Sequence, residues 1–252
     1  MAGERPDYRK GLHLPNLRPE RQAADPEHLP RQRRGTTPQM IGRFPDFDVL
    51  APEIVDLWDG VTREVVLERL KAGQRRLEFF SPQEEPTLRA FCDTVLAQDR
   101  EPRIPVAEMV DKKYAEGKLD GYQYHDLPDD RVTWHTALRG LDETAQSRYA
   151  RRFHECDAQA RHKICADFKA GNLQGGAWDQ LNVKRAWTVC IRAAVAEFYS
   201  HPWAWNEIGF GGPAYPRGWM RMGDLGVREP FEPPGALDVD PVRDVERRRL
   251  DE

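Results

Sequence analysis

No run of apolar residues in the sequence approaches the roughly 18 to 20 that a helix needs to cross a bilayer, so direct membrane insertion is not expected. Cysteine is scarce. The four present, Cys92, Cys156, Cys165 and Cys190, fall within helical patterns and form no CxxC pair, which argues against a disulfide scaffold and for buried free thiols. There is no CxxCH for covalent haem, no GxGxxG following a strand and no GxxxxGK[ST] loop. No cofactor is therefore expected in this chain by itself. Charge of one sign is also lacking, because 38 basic and 42 acidic side chains are interspersed and leave a net charge of -4. Such a balance gives no general attraction to nucleic acid or to an anionic surface.

What the sequence has in excess is aromatic residues near its end. Residues 198–222, FYSHPWAWNEIGFGGPAYPRGWMRM, hold seven aromatics, four glycines and three prolines in twenty-five positions, nearly three times the chain's 10% aromatic content. Pro202, Pro213 and Pro216 lack amide donors, and Gly211 and Gly212 invite positive φ, so the segment is expected to be a shaped loop rather than a helix. Each large ring is worth roughly 1.5 to 3 kcal/mol when removed from water, so something must cover these rings. Either the chain's own helices do so, or a partner does.

The rest of the 252 residues reads as an all-α fold, an irregular helical domain with long extended N- and C-terminal arms. Residues 1–50 carry seven prolines and eight arginines without apolar periodicity and are read as an extended arm. The helical domain follows over 51–222, ending in the aromatic Gly/Pro loop, and 223–252 form a polar arm. Within the domain, Ile54, Trp58, Val61, Val65 and Leu67 have near-helical spacing, with Gly60 as a break. Ser81, Pro82 and Glu84 resemble a capping box ahead of a stripe of Leu88, Phe91, Cys92, Val95 and Leu96. Val106, Met109, Val110 and Tyr114 predict a helix stopped by Gly117. Residues 118–128, with Tyr122 and Tyr124, are read as a short strand or aromatic loop. Val132, His135, Leu138 and Leu141 resume helical spacing, and Asp142 looks like a fresh N-cap. A last helix from about Asp179 to Tyr199 buries Val183, Trp187, Cys190, Ile191, Val195 and Phe198.

Among groups able to carry chemistry, His154, Cys156, His162 and Cys165 are the densest set of candidate metal ligands. Treated as one helix, Cys156 points about 200 degrees away from His154, and residues eight apart are separated by about 12 Å, too far to share one zinc ion. No metal site is expected there. His125 beside Asp126, and His135, carry no nucleophile-elbow or other local signature. His201 precedes Pro202, which restricts its backbone to extended conformations, and it caps the aromatic segment. Its role is either a hydrogen bond across an interface or one that fixes the loop. Trp203, Trp205 and Trp219 suit protein docking, with Phe210, Tyr215 and Arg217 as further partner-binding candidates beside them. The alternative is a stand-alone sugar or small-molecule binding protein that stacks its ligand on the tryptophans, with His201 and Glu207 as polar contacts.

Two segments, FFSPQEEPTLRA at 79–90 and the stretch at 199–222 with its His-Pro, Glu-Ile-Gly-Phe, Gly-Gly-Pro and Arg-Gly-Trp pieces, resemble the gluconate 2-dehydrogenase subunit 3 family. The likeness runs over about residues 77–222 and departs at Ala97, where the family often has proline. It implies a non-catalytic accessory subunit that binds and stabilises a large flavoprotein of the glucose-methanol-choline class, one that oxidises sugars, sugar acids or alcohols. FAD and the catalytic histidine would then reside in that partner. Members with a twin-arginine signal can carry the partner across a membrane folded. Here Arg33 and Arg34 are not followed by an apolar region, so a cytoplasmic complex is expected, or an extracytoplasmic one if the partner carries the signal.

Overall fold

Side chains that can accept from their own first turn open most of the helices. Asp59 accepts from the Thr62 amide, Asp129 from Arg131, Asp157 from Ala160 and Asn182 from Arg185. Each satisfies one of the donors that a helix start leaves unpaired. A computed structural model describes residues 48–214, apart from 100, 120 and 122. Among them are eight α-helices, three short 3-10 turns and no strand. The helices are α1 (Pro52–Val55), α2 (Gly60–Arg69), α3 (Glu85–Val95), α4 (Val106–Ala115), α5 (Asp130–Tyr149), α6 (Ala158–Ala170), α7 (Val183–Ser200) and α8 (Pro202–Ile208). The expected all-α class is what the chain adopts. The expected arms fall on residues outside the described ones except at Asp48–Leu50, as do Arg33, Arg34 and Tyr122.

The main core forms where α3 packs on α4, α5 and α6, and α7 packs on α4, α5 and α6. Trp134 of α5 is fully buried at its centre and donates its indole N–H to the Tyr114 hydroxyl at 3.0 Å. Its ring meets Phe80 and Phe91 edge-on, and Phe91 leads to Phe168 and on to Trp178. Leu88, Phe91, Cys92 and Leu96 of the predicted α3 stripe are buried in this core, as are Val106, Met109, Val110 and Tyr114 of α4. Burial pushes the Cys92 and Cys190 thiols well up and Cys165 to about 12, which leaves all three as inert packing groups. Residues 118–128 contain no strand among the described positions.

Trp178 reaches its seat only because α5 has glycine at position 140. A Cβ there would lie 2.5 Å from Trp178 Cε2. The indole N–H meanwhile donates to Thr144 Oγ1 at 2.8 Å, so the ring cannot slide without losing that bond. Gly140→Ala is therefore expected to lower stability by about 1 to 3 kcal/mol despite alanine's better helix propensity. A urea midpoint that rises would refute this.

Three expectations about local structure are corrected. Asp142 does not start a helix, because α5 runs unbroken through it. Its carboxylate instead accepts from the Thr87 hydroxyl, the Phe153 amide and the Arg152 guanidinium, donors that lie on other parts of the chain. On α2 the inward residue is Val66, while Val61 is 70% and Val65 51% exposed. The expected stripe was one position out of phase there, since Asp59 restarts the helix after Trp58. Cys156 is not helical either, lying between a 3-10 turn at Phe153–Glu155 and the α6 cap Asp157.

The capping box expected to open α3 at Ser81 is displaced by a turn: α3 begins at Glu85 with Glu84 as its N-cap, residues 82–84 form a turn, and of the box only the Glu84-to-Ser81 half is made. Glu84 Oε2 accepts from the Ser81 amide at 2.9 Å and from its hydroxyl at 2.7 Å, while Oε1 lies 2.6 Å from His135 Nδ1 on α5. Burial pushes the Glu84 carboxyl up, but the Ser81 and His135 bonds outweigh it and hold the group below its ordinary 4.5. A carboxyl depressed in the folded state adds stability that is complete above the unfolded value and lost as pH falls through the folded one. Glu84→Gln should thus flatten the acid limb of stability below about pH 4.5, read as urea midpoints across pH. Parallel acid limbs in the two proteins would rule this out.

Candidate functional site

The aromatic segment begins on a sharp corner between α7 and α8. His201 is at once the C-cap of α7 and the N-cap of α8, with φ -85° and ψ 135°. Its amide donates to Phe198 O, and its Nδ1 accepts from the Trp203 amide at 3.2 Å. Pro202 follows as the first residue of α8, where a missing amide is no loss and a fixed φ suits the helix. The expectation of a loop is therefore corrected for residues 202–208, which are helical. Proline here starts an element rather than breaking one. Gly209, at φ 71°, ends α8, and the Phe210 amide returns to Trp205 O at 2.9 Å.

Trp205 is the centre of the corner. Only 4% exposed, it packs with Val49, Ile54, Trp58 and Val66 in a second core separate from the first. The indole N–H donates to Tyr199 O at 2.6 Å. Arg69 of α2 places its guanidinium 5.7 Å from the Trp205 ring centre and donates to Ser200 O at 2.7 Å. Burial lowers the Arg69 pKa, with Glu197 acting against that shift. Asn206, fully buried, accepts from the Val49 amide at 2.7 Å and donates to Asp48 at 3.1 Å. Val49, which the sequence placed with the arm, is thus a core residue.

Outside this packing the corner presents apolar surface. Tyr199 is 42% exposed, Ile208 50% and Phe210 36%, and the Phe210 ring stands edge-on to Trp205 at 5.5 Å. Burial, with Glu207 nearby, raises the Tyr199 hydroxyl's pKa, so it stays a neutral hydrogen-bonding group at physiological pH. Of the candidates singled out in the sequence, His201, Trp203, Trp205 and Phe210 come together here, with His201 and Trp205 buried and Trp203 half-buried. Tyr215, Arg217 and Trp219 lie outside the described residues. Tyr199 and Ile208 were missed as surface groups, and Arg69 and Asn206 as supports. No local pattern marks those supports, because their partners are 131 to 158 positions away.

The arrangement suits docking. A ligand-stacking platform needs open ring faces, and Trp205 offers none. His125 and His135 have separate settings: Asp126, next to the former, accepts from Asn182 and pairs with Arg185, while the latter meets Glu84. His162 Nδ1 lies 2.8 Å from Ala158 O on its own helix, and the Cys156 thiol donates to Arg152 O. Among the described residues no three histidine, cysteine or acidic side chains are placed to hold a metal ion. None of the described helices is long and apolar enough to cross a membrane. A surface depression of about 310 Å³ is lined by Glu143, Ser147, Arg148 and Trp178, and by no residue of the corner.

Comparison with known proteins gives one match. The family model for gluconate 2-dehydrogenase subunit 3 covers residues 82–212, from the turn before α3 to the glycine after α8. Searches of curated proteins and of solved structures return no match. Since residues 82–212 make up just over half of the chain and contain most of the main core and both helices of the α7–α8 corner, this protein belongs to the gluconate 2-dehydrogenase subunit 3 family.

Proposed function

We propose that the chain is a non-catalytic accessory subunit of a dehydrogenase complex, and that its partner is a large FAD-dependent enzyme of the glucose-methanol-choline class oxidising a sugar, sugar acid or alcohol. The observation that carries this reading is membership of the subunit 3 family. The geometry of the corner supports it: Tyr199, Ile208 and Phe210 stand exposed on a capped base, and aromatic side chains are typical of interface anchors. In this reading Tyr215, Arg217 and Trp219, which lie outside the described residues, are further partner-binding candidates. The flavin and the reacting groups belong to that partner, and this chain supplies the contacts that stabilise it.

Co-expression with the neighbouring genes, followed by size-exclusion chromatography read at flavin wavelengths, tests the proposal. A yellow peak containing this chain is the expected result. A colourless monomer in every pairing would overturn it. Within a recovered complex, Phe210→Ala should weaken association by about 1 to 2 kcal/mol and leave the helical signal of the free subunit unchanged. Unaltered affinity would move the interface away from the corner.

A further inference from the structure

We infer that residues 48–69 are an intramolecular strap, seated on α8, that presets the docking corner and is tightened when the partner binds. The second half of this inference rests on the docking function proposed above. Four of the five buried residues of the second core, Val49, Ile54, Trp58 and Val66, come from this segment, and the fifth is Trp205. None of them belongs to the main core. Two such separate clusters can open separately, and the smaller has fewer contacts to lose.

The seat is built for this segment. Asn206 uses its oxygen for the Val49 amide and its nitrogen for Asp48, and Arg69 ties the far end of the strap to Ser200 O. Gly212 has φ +78°, and a Cβ there would lie 2.7 Å from Trp58 and 3.2 Å from Val49. Only glycine permits this closure. Yet the Trp58 indole nitrogen is buried with no hydrogen-bond partner among the described residues, a cost that opening to water relieves. The strap is therefore closed by polar ties at its ends and held less firmly in its middle. The family match covers the seat, ending at Gly212, but begins at 82 and leaves the strap out.

With the strap closed, Trp205 is fixed and Phe210 stands against it; with it open, Trp205 faces water and Phe210 loses its backing. A partner that docks on Phe210 then binds the closed form better, and by reciprocity its binding must hold the strap shut.

Hydrogen exchange of the full chain, alone and in the flavoprotein complex, tests this. Amides at 49–58 should exchange faster than those of α5, and Asn206→Ala should speed them further by about tenfold or more without changing α5. The same substitution should weaken association by about tenfold, and the complex should slow exchange at 49–58. Should Asn206→Ala fail to fold, Asn206→Asp serves instead, because it sets a second carboxylate against Asp48. Adding Asp48→Asn should then recover part of the protection. Exchange at 49–58 that tracks α5 and ignores both substitutions would refute a separate strap. An opened strap with unchanged affinity would refute the linkage while leaving the docking function intact. If the wild-type chain retains no flavoprotein, the docking function and the linkage fall together, and exchange still decides the strap.

Discussion

Asp111→Ala is expected to destabilise the protein by about 3 to 5 kcal/mol, the largest effect of a polar substitution in the main core. Asp111 lies on α4, 1% exposed, and accepts three consecutive amides: Glu78 at 2.8 Å and Phe79 and Phe80 at 2.9 Å. Hydrogen bonds to a carboxylate are stronger than neutral ones, and alanine would leave all three donors without an acceptor. The segment they hold also matters. Phe80 packs on Trp134, Phe79 on Tyr114 and His135, and Ser81 starts the turn into α3. Asp111→Asn keeps one oxygen for the Phe79 and Phe80 amides and should cost less, about 1 to 3 kcal/mol. Urea unfolding followed by tryptophan emission measures both. Equal losses in the two variants would mean that the amides are not what the carboxylate holds.

What the sequence revealed and what it hid divide along the range of the interactions. The α3 stripe and the α4 helix were legible because apolar residues recur at helical spacing before local punctuation such as Gly117. The last helix, α7, was found, but it starts at Val183 rather than Asp179 and buries Ala186, Val189, Ala193 and Ala194 more deeply than the expected Val183, Trp187, Ile191 and Val195. Asp142 was misread because its donors, Thr87 and Arg152, are 55 and 10 residues away and compete with the local capping role. Pro202 was weighed as a breaker because its place in the first turn depends on His201 turning the chain before it. Asp111 carried no signal at all, with partners 31 to 33 residues upstream. Ala97, where the resemblance led us to expect proline, has φ 54°, a value that proline cannot adopt. The end of α3 therefore turns differently here than it would with proline at that position. Of the corner, the sequence showed the rings but not their sides, because burial by a segment some 150 residues earlier leaves no local trace.

Trp205→Ala should cost about 3 to 5 kcal/mol and unfold one part of the molecule rather than all of it. Among the described residues Trp205 is the one apolar side chain that α8 contributes to the second core, so alanine empties the centre of that cluster. The lost helical signal should match α1, α2 and α8, of four, ten and seven residues, while α3 to α7 keep theirs. Thermal unfolding would then split, with an early step for the second core and a late one near the wild-type midpoint. Trp205→Phe retains an edge contact for Phe210 but loses the bond to Tyr199 O, and should cost roughly 1 to 2 kcal/mol. Association with the dehydrogenase should fall in both variants in proportion to the fraction of molecules whose corner has opened, since a binding-competent population sets the apparent affinity. Circular dichroism and partner titration on the same samples separate two roles for the ring. Weaker association with full helicity would make Trp205 a contact that the partner reaches directly. Loss of both in step makes it the base on which Tyr199, Ile208 and Phe210 are displayed, which is what its burial and its backbone bond require.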